Sequence, residues 1–360
     1  MAIETDDNAR RIRAGAILAY MTDAFRACGL PDADARIVAE AMLDADLSGS
    51  DAHGIFRLAG YVKQLKTGVF NPRANITVLE RSPATALVDG DNGMGHLVMT
   101  FASNLAVELA RASGVGWVGV RRSNHSGAGS TYATMPVAHG MVGIYTAVSS
   151  SNFMAPWGGA EPLLGTNPIA VGIPAGNEPP VVLDIATSVV SNGQIRTYAN
   201  AGKPMPEGWV ISRADGQPIT DGKKLDEGMS VPMSTYKGSG LAMVLGLLGG
   251  PLNRAAFGRD VKDANSPPER ESNTGHFIIA LDVAKFLPLD MFKSEMDRHI
   301  GDLAGSKKLP GVDEIRIPGQ ARIARRTERQ EKGVPLAPGL IKQVDELAKT
   351  LNITPLSARS

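Results

Sequence analysis

The chain has 360 residues, with 37 Lys and Arg against 37 Asp and Glu, and it is 43% hydrophobic and 21% charged. A zero balance gives no basic surplus for nucleic acid or an anionic membrane to attract, and the length predicts two domains rather than one core. Cys28 is the only cysteine, so neither an intrachain disulfide nor a thiolate metal site can form, which fits a reducing cytoplasm.

The N-terminal MAIETDDNARRIRAG is charged and has no apolar stretch, which predicts no secretory leader. No run reaches the roughly 18 apolar residues of a membrane helix. From Asn8 to about Gly68 apolar residues recur at helical spacing. Ile12, Ile17, Leu18, Met21 and Phe25 mark one helix, and Pro31-Asp32 opens a second with Ile37, Val38, Ala41, Met42 and Leu47. A third is predicted from about His53 to Lys66, stopping at Gly68. After Pro72 the period changes. ITVLE, TALVDG, WVGVRR, VGIYTAV, NPIAVGIP, VVLDIA and HFIIALD are short β-branched runs bounded by Gly, Pro or Asn and read as strands. Helical stretches lie between them at about 96–113, 129–139, 187–200, 236–249 and 284–303. The tail after Pro318 returns to helix. The polar stretch 264–275 reads as a loop.

These patterns predict an α+β chain. A helical domain, 1–75 completed by 306–360, would surround a central domain, 76–305.

Gly114, Gly116 and Gly119 satisfy G-x-G-x-x-G, but a helix precedes them and a strand follows. The dinucleotide version needs the reverse order, so these glycines read as a helix C-cap and a strand start. There is no phosphate-binding G-x-x-x-x-G-K-[ST] and no G-x-S-x-G nucleophile turn, which disfavours a hydrolase. The histidines are isolated, with no H-x-x-x-H and no clustered carboxylates, so no metal is expected.

Single polar residues at element ends remain. His53, Arg57 and Tyr61, at i, i+4 and i+8, would share one helix face. A histidine there suits proton transfer to a carbonyl oxygen, and an Arg one turn away suits a carboxylate. By spacing alone, a helix-capping His53 and an Arg57 paired with a surface acid are the favoured explanation. His125 leaves a strand into the Gly-rich turn RRSNHSGAG, Asp184 ends VVLDIA, and Lys237 heads a helix where an anion would meet both a cation and the dipole. The combination suggests an anionic, dinucleotide-like ligand. The Gly/Pro-dense crossing NFMAPWGGAEPLLGTNPIAVGIP is either functional or a packing device.

Taken in order, AHGIFRLAGY, SNHSGAGSTYA, MAPWGGAEPLLGTNPIAVGIP, VVLDIATS, YKGSGLAM, GHFIIALD and IRIPG resemble the type-2 malate/L-lactate dehydrogenase family, also called sulfolactate-dehydrogenase-like. The resemblance runs from the first helices to about residue 345. It implies an NAD(P)-dependent oxidoreductase, NAD or NADP, with a non-Rossmann cofactor domain on a largely antiparallel sheet. It also implies a homodimer acting on a small carboxylated substrate, while the composition predicts a cytoplasmic protein. The implied reaction transfers hydride to or from C2 of a malate-, lactate- or sulfolactate-like acid. The alternatives are a cyclic imino acid reductase of the pyrroline- or piperideine-2-carboxylate type and a weakened, cofactor-binding homologue.

Residue by residue, the resemblance makes His53 the proton donor, Asp184 an acid relaying charge to it, and His125 a histidine at the nicotinamide and substrate. Arg57 and Tyr61 become substrate contacts, Arg57 at a carboxylate, and His276 a substrate contact across a dimer interface. Cofactor contacts fall on His125, Ser126, Gly127, Ala128 and Gly129, on Pro180, Val181, Val182, Leu183, Asp184, Ile185 and Ala186, and on Tyr236, Lys237, Gly319, Gln320 and Ala321. Arg196 is a candidate for a 2′-phosphate. The chain departs from the family pattern at Ala52, where a serine hydroxyl usually precedes the histidine, so a relay would run through Asp184 and His53 alone or use water, with Ser50 a distant substitute. After IRIPG it has Gln320-Ala321-Arg322 where an acid is usual. Gly246 replaces a residue often acidic, at a helix-propensity cost of about 1 kcal/mol against alanine.

Overall fold

The computed structural model describes residues 9–200, 202–262 and 271–359. The Arg196 side chain, and residues 264–270 of the polar stretch, lie outside what is described. The chain starts with β1 (Arg10–Ile12), α1 (Ala14–Ala27) and α2 (Asp32–Leu47). In α1, Ile17, Tyr20, Met21, Ala24 and Phe25 are all fully buried and spaced to form one stripe. Asp32 and Asp34 sit in the first turn of α2, where they complement the helix dipole.

The third helix departs from expectation. Residues Asp51–His53 and Ile55–Arg57 form two 3-10 turns around Gly54, and α3 begins only at Leu58, running to Lys66. The cause lies on α2. Gly54 rests on the buried Asp46 carboxylate, where a Cβ would lie 1.8 Å from Oδ1, and the Ile55 N–H donates to Asp46 Oδ2 at 2.9 Å. That side-chain acceptor replaces a helical carbonyl, so His53, Arg57 and Tyr61 do not lie along one helix.

All seven runs read as strands form the central sheet: β2 (Thr77–Arg81), β3 (Thr85–Asp89), β4 (Val115–Ser123), β5 (Met141–Ala147), β6 (Ile169–Ile173), β7 (Val181–Ile185) and β10 (Thr274–Asp282). Its order is β2-β3-β4-β10-β5-β6-β7, antiparallel except for the β3–β4 pair. A long helix, α4 (Gly95–Ser113), packs on β4 and β10 and ends at Gly114, left-handed at φ 85°, from which β4 departs at once. The G-x-G-x-x-G is thus a helix cap and a strand.

The helix predicted at 129–139 splits into α5 (Gly129–Ala133) and a 3-10 turn at Pro136–His139, because proline lacks the N–H a helix would use. The next helix, α6 (Asn192–Asn200), starts late because Thr187 and Ser188 are tied elsewhere, Thr187 through its N–H and hydroxyl to the Thr166 carbonyl. A small hairpin, β8 (Val210–Ser212) with β9 (Gly228–Ser230), precedes α7 (Tyr236–Gly249). The chain ends in α8 (Leu289–Ala304), α9 (Gln320–Lys332), β11 (Val334–Leu336) and α10 (Pro338–Leu351). Antiparallel pairing of β1 with β11, Ile12 opposite Val334, joins both ends of the chain. One core collects buried residues from Ile12 to Phe70, with Met94, and from Val334 to Leu356, while a second spans the sheet and α4.

Gly246 is explained by packing. A Cβ there would lie 2.3 Å from Phe257 Cε2 and 2.7 Å from the Asn167 amide nitrogen, which donates to the Ala242 carbonyl at 2.9 Å. Gly246→Ala should therefore lower stability by about 1–3 kcal/mol, despite its better helix propensity, as read from urea denaturation. A raised midpoint would show that Phe257 yields and the packing account is wrong.

Candidate active site

The site lies where the helical elements meet the edge strand β7. His53 stacks on His125, ring centroids 5.5 Å apart and planes 18° apart. The Tyr61 hydroxyl donates to His125 Nδ1 at 2.5 Å, and the Gly127 N–H approaches the same nitrogen at 3.4 Å. Two donors on Nδ1 place the proton of the neutral ring on Nε2. Arg57 is exposed, and its Nε donates to the Ala52 carbonyl at 3.1 Å. The structure thus gathers His53, Arg57, Tyr61 and His125.

Asp184 is an exposed residue of β7, and its Oδ2 accepts the Ser130 N–H at 2.8 Å. His53 Nδ1 is buried without a partner, so no hydrogen bond joins Nδ1 to Asp184. The two still interact by charge. Burial lowers the His53 pKa, the Asp184 carboxylate raises it, and the Arg57 guanidinium lowers it. His125 is pushed well below the usual histidine range, first by burial and then by Arg57 and the neighbouring rings.

His276 sits fully buried in β10, inside its own chain. Its Nε2–H donates to the Asn124 carbonyl at 3.2 Å and its Nδ1 faces the Tyr145 hydroxyl at 3.2 Å, which also meets Ser126 Oγ at 2.7 Å. With both ring nitrogens engaged, it braces the turn that carries His125. Burial lowers its pKa to about 4.

His96, at the start of α4, was not singled out by the sequence because GDNGMGH matches no spacing rule. It is 1% exposed, edge-on to Tyr61 with centroids 5.3 Å apart, and neither ring nitrogen has a partner. Its Nε2 lies where a Gly127 Cβ would come within 2.8 Å. Burial, with His53 and His276 nearby, lowers its pKa to about 3.

The segments expected to hold a cofactor all touch β7 or its exit. Ser130 reaches Asp184 from the end of the 125–129 turn. Gly319, left-handed at φ 101°, packs so closely that a Cβ would lie 2.9 Å from the Val182 nitrogen, and the Val182 N–H donates to the Pro318 carbonyl at 3.0 Å. The Met233 N–H donates to the Thr187 carbonyl at 2.9 Å, anchoring the start of α7, where Ser234 and Thr235 both have positive φ. Tyr236 and Lys237 follow, both exposed. Gln320 accepts the Ile317 N–H at 3.2 Å through its side chain, and Arg322 donates to Ser130 Oγ and to Asp44, each at 2.6 Å. Among the described residues no group of three or more His, Cys, Asp or Glu could hold a metal ion. Nor is any described helix long and apolar enough to cross a membrane.

The family described as malate/L-lactate dehydrogenase matches residues 12–345. The chain belongs to that family. It is 35% identical to the malate dehydrogenase of Pyrococcus abyssi over 355 residues, 97% of each chain. It is 32% identical to the Delta(1)-pyrroline-2-carboxylate reductase of Pseudomonas fluorescens over 316 residues, 88% of this chain and 92% of that one. The solved malate dehydrogenase of Pyrococcus horikoshii OT3 superposes with a TM-score of 0.89 at 31% identity, covering 98% of this chain and 99% of that one. As a member of the family, the protein is an oxidoreductase.

Four histidines with lowered pKa values, His53, His96, His125 and His276, make acid a destabilising agent. Each is neutral in the fold and accepts a proton more readily once unfolded. Stability is then full above the unfolded value near 6.5 and falls as pH drops toward about 4 for His276 and about 3 for His96. Urea midpoints should decline steadily below pH 6.5, and less steeply in His96→Gln. A midpoint unchanged down to pH 4 would mean the rings are not held neutral.

Proposed function

We propose that this oxidoreductase interconverts a small 2-oxo acid and the matching 2-hydroxy acid, with NAD or NADP as redox partner. The observation that carries the reading is the stacked His53–His125 pair with Arg57 beside it, facing the edge strand that carries Asp184. The residues fit a dinucleotide. Gly127 and Gly319 give the turns beside β7 positive φ, 78° and 101°, the exposed Asp184 lies on that last strand of the sheet, and Lys237 is a solvent-facing cation at the start of a 14-residue helix. His125, Gly127, Gly129, the strand 180–186, Tyr236, Lys237 and Gly319–Ala321 would hold it in a non-Rossmann manner, on a sheet with a single parallel pair. The bound nicotinamide supplies or removes the hydride at C2.

The chain's own residues do the rest. Arg57 forks the substrate carboxylate, fixing C2 relative to the pocket. His53, as imidazolium, gives its proton to the C2 oxygen in reduction and takes it back in oxidation. His125 stays neutral and offers Nε2–H as a fixed donor, because Tyr61 holds its other nitrogen. Asp184 favours the charged form of His53 across space, in place of a hydroxyl at Ala52. With His276 bonded on both sides, no substrate contact is assigned to it. A cyclic imino acid places a carboxylate and an electrophilic C2 in the same relation, and the match to the Pseudomonas fluorescens reductase supports that second substrate class.

Following NADH and NADPH oxidation against pyruvate, oxaloacetate, sulfopyruvate and five- and six-membered cyclic imino acids tests the reading. For an accepted substrate, kcat/KM of reduction should fall as pH rises through the lowered His53 value, and that of oxidation should rise. His53→Ala should lose about 100- to 10,000-fold in kcat while cofactor binding persists. Undiminished turnover in that variant would refute the proton-donor role.

A homodimer in the cytoplasm is part of the same proposal. The lone Cys28 supports the compartment, and the exposed apolar Val244, Leu247 and Leu252 on and just beyond α7 support the dimer, at 54%, 48% and 59% exposure. Sedimentation should give twice the chain mass, and Leu247→Asp should give single chains. A wild type that sediments as a monomer would exclude it.

A further inference from the structure

We propose that Asp46 is a positioning residue for the reaction, setting the turn that aims His53 and Arg57. The inference rests on the proton-donor reading of His53 and adds what orients it. Asp46 lies on α2, 1% exposed, and touches neither the stacked histidines nor Arg57 through any hydrogen bond. Its Oδ2 accepts the Ile55 N–H at 2.9 Å, and its carboxyl fills the space a side chain on Gly54 would need. Gly54 and Ile55 are the two residues between His53 and Phe56-Arg57, so this one carboxyl determines where the first 3-10 turn ends and the second begins.

The turn is closed from the other side as well. The His53 N–H donates to the Ser50 carbonyl at 2.8 Å and the Arg57 N–H to the Gly54 carbonyl at 2.9 Å. Arg329, on α9 and 7% exposed, donates to the Asp46 carbonyl and pairs with the Asp51 carboxylate. The segment from Asp46 to Ile55 is thus fixed at both ends, with His53 between them. Without the carboxyl the Ile55 N–H would be buried and unpaired, and the turn would be free to continue as ordinary helix. That would return His53 and Arg57 to a single helix face and separate His53 from His125. Burial pushes the Asp46 carboxyl up to about 8, against the pull of the Ile55 N–H, with Asp51 adding to the rise and Arg329 opposing it. An amide is therefore a close mimic near neutral pH.

The test compares Asp46→Asn, Asp46→Ala and Gly54→Ala in the full chain. Asp46→Asn keeps an acceptor for Ile55 and should retain most of kcat. Asp46→Ala should lose about 10- to 100-fold in kcat, with a raised KM for the acid substrate and NADH affinity by fluorescence unchanged. Gly54→Ala, with Asp46 intact, should show the same pattern, and adding Asp46→Ala to it should cost little more, since the clash is then relieved. The ring resonances of His53 and His125 in nitrogen-15 NMR should move in Asp46→Ala and Gly54→Ala and stay in place in Asp46→Asn. These resonances report orientation whether or not His53 is the proton donor, so a failure of that assignment remains distinguishable. The proposal is overturned if Asp46→Ala keeps full activity with unmoved resonances, or if Asp46→Asn is as impaired as Asp46→Ala. If Asp46→Ala does not fold, Gly54→Ala decides, and normal activity there overturns the proposal.

Discussion

The hydrogen bond from the Val182 N–H to the Pro318 carbonyl, 3.0 Å long, holds the C-terminal segment against the last strand of the sheet. An edge strand with free N–H groups invites pairing with any extended chain, and here the protein's own return segment occupies that position. The contact needs a residue without a side chain at 319, because a Cβ would meet the Val182 nitrogen at 2.9 Å. Starting at Gln320, α9 is delivered to α2, where Arg322 and Arg326 meet Asp44 and Arg329 meets Asp51. The helical elements and the sheet are thereby set in register, and the space between them is the site.

Desolvation acts on every histidine of the site, and one neighbouring charge sets His53 apart. All four buried rings lose affinity for a proton on burial, an effect of up to several pKa units in an apolar setting. For His96 and His276 the remaining contributions are too small or of the wrong sign to reverse it, and His125 faces Arg57 and three other rings. His53 alone among the four has a carboxylate, Asp184, pulling it back. His53 is thus the ring whose protonation is least opposed by charge, which suits it to the donor role proposed for it.

The sheet was legible because its strands are β-branched runs cut by Gly, Pro and Asn, and all seven strands formed where those runs lie. Period reading failed where a side chain competed with the backbone for hydrogen bonds. Asp46 takes the Ile55 N–H and turns the expected helix from His53 into two tight turns, a contact nine residues away that no helical template contains. Short strands such as β1 and β11 were missed because three-residue segments carry no period, and their pairing joins opposite ends of the chain. His96 was missed for a related reason. Its place in the site comes from its neighbours, Tyr61 and Gly127, which only the fold brings near. Gly246, a poor helix residue by propensity, follows from the Phe257 ring that fills its missing side chain's place.

Two of the departures from the family pattern fall at Ala52 and just after Gly319. Ala52 removes a hydroxyl beside His53, and the residue after Gly319 is the neutral Gln320 rather than an acid. The Gln320 side chain closes its own turn through Ile317, which leaves Arg322 as the charged group of that segment facing the site. Arg322 holds the Ser130 hydroxyl, and the Ser130 N–H holds the Asp184 carboxylate at 2.8 Å. Asp44 then takes Arg322, Arg326 and the Thr131 hydroxyl together, so the Arg322 charge is offset rather than presented to Asp184. A carboxylate fixed in this way keeps its charge oriented without needing a bonded hydroxyl as intermediary. On the proposed reading, this fixed Asp184 acts on His53 across space by charge, with no hydroxyl at position 52.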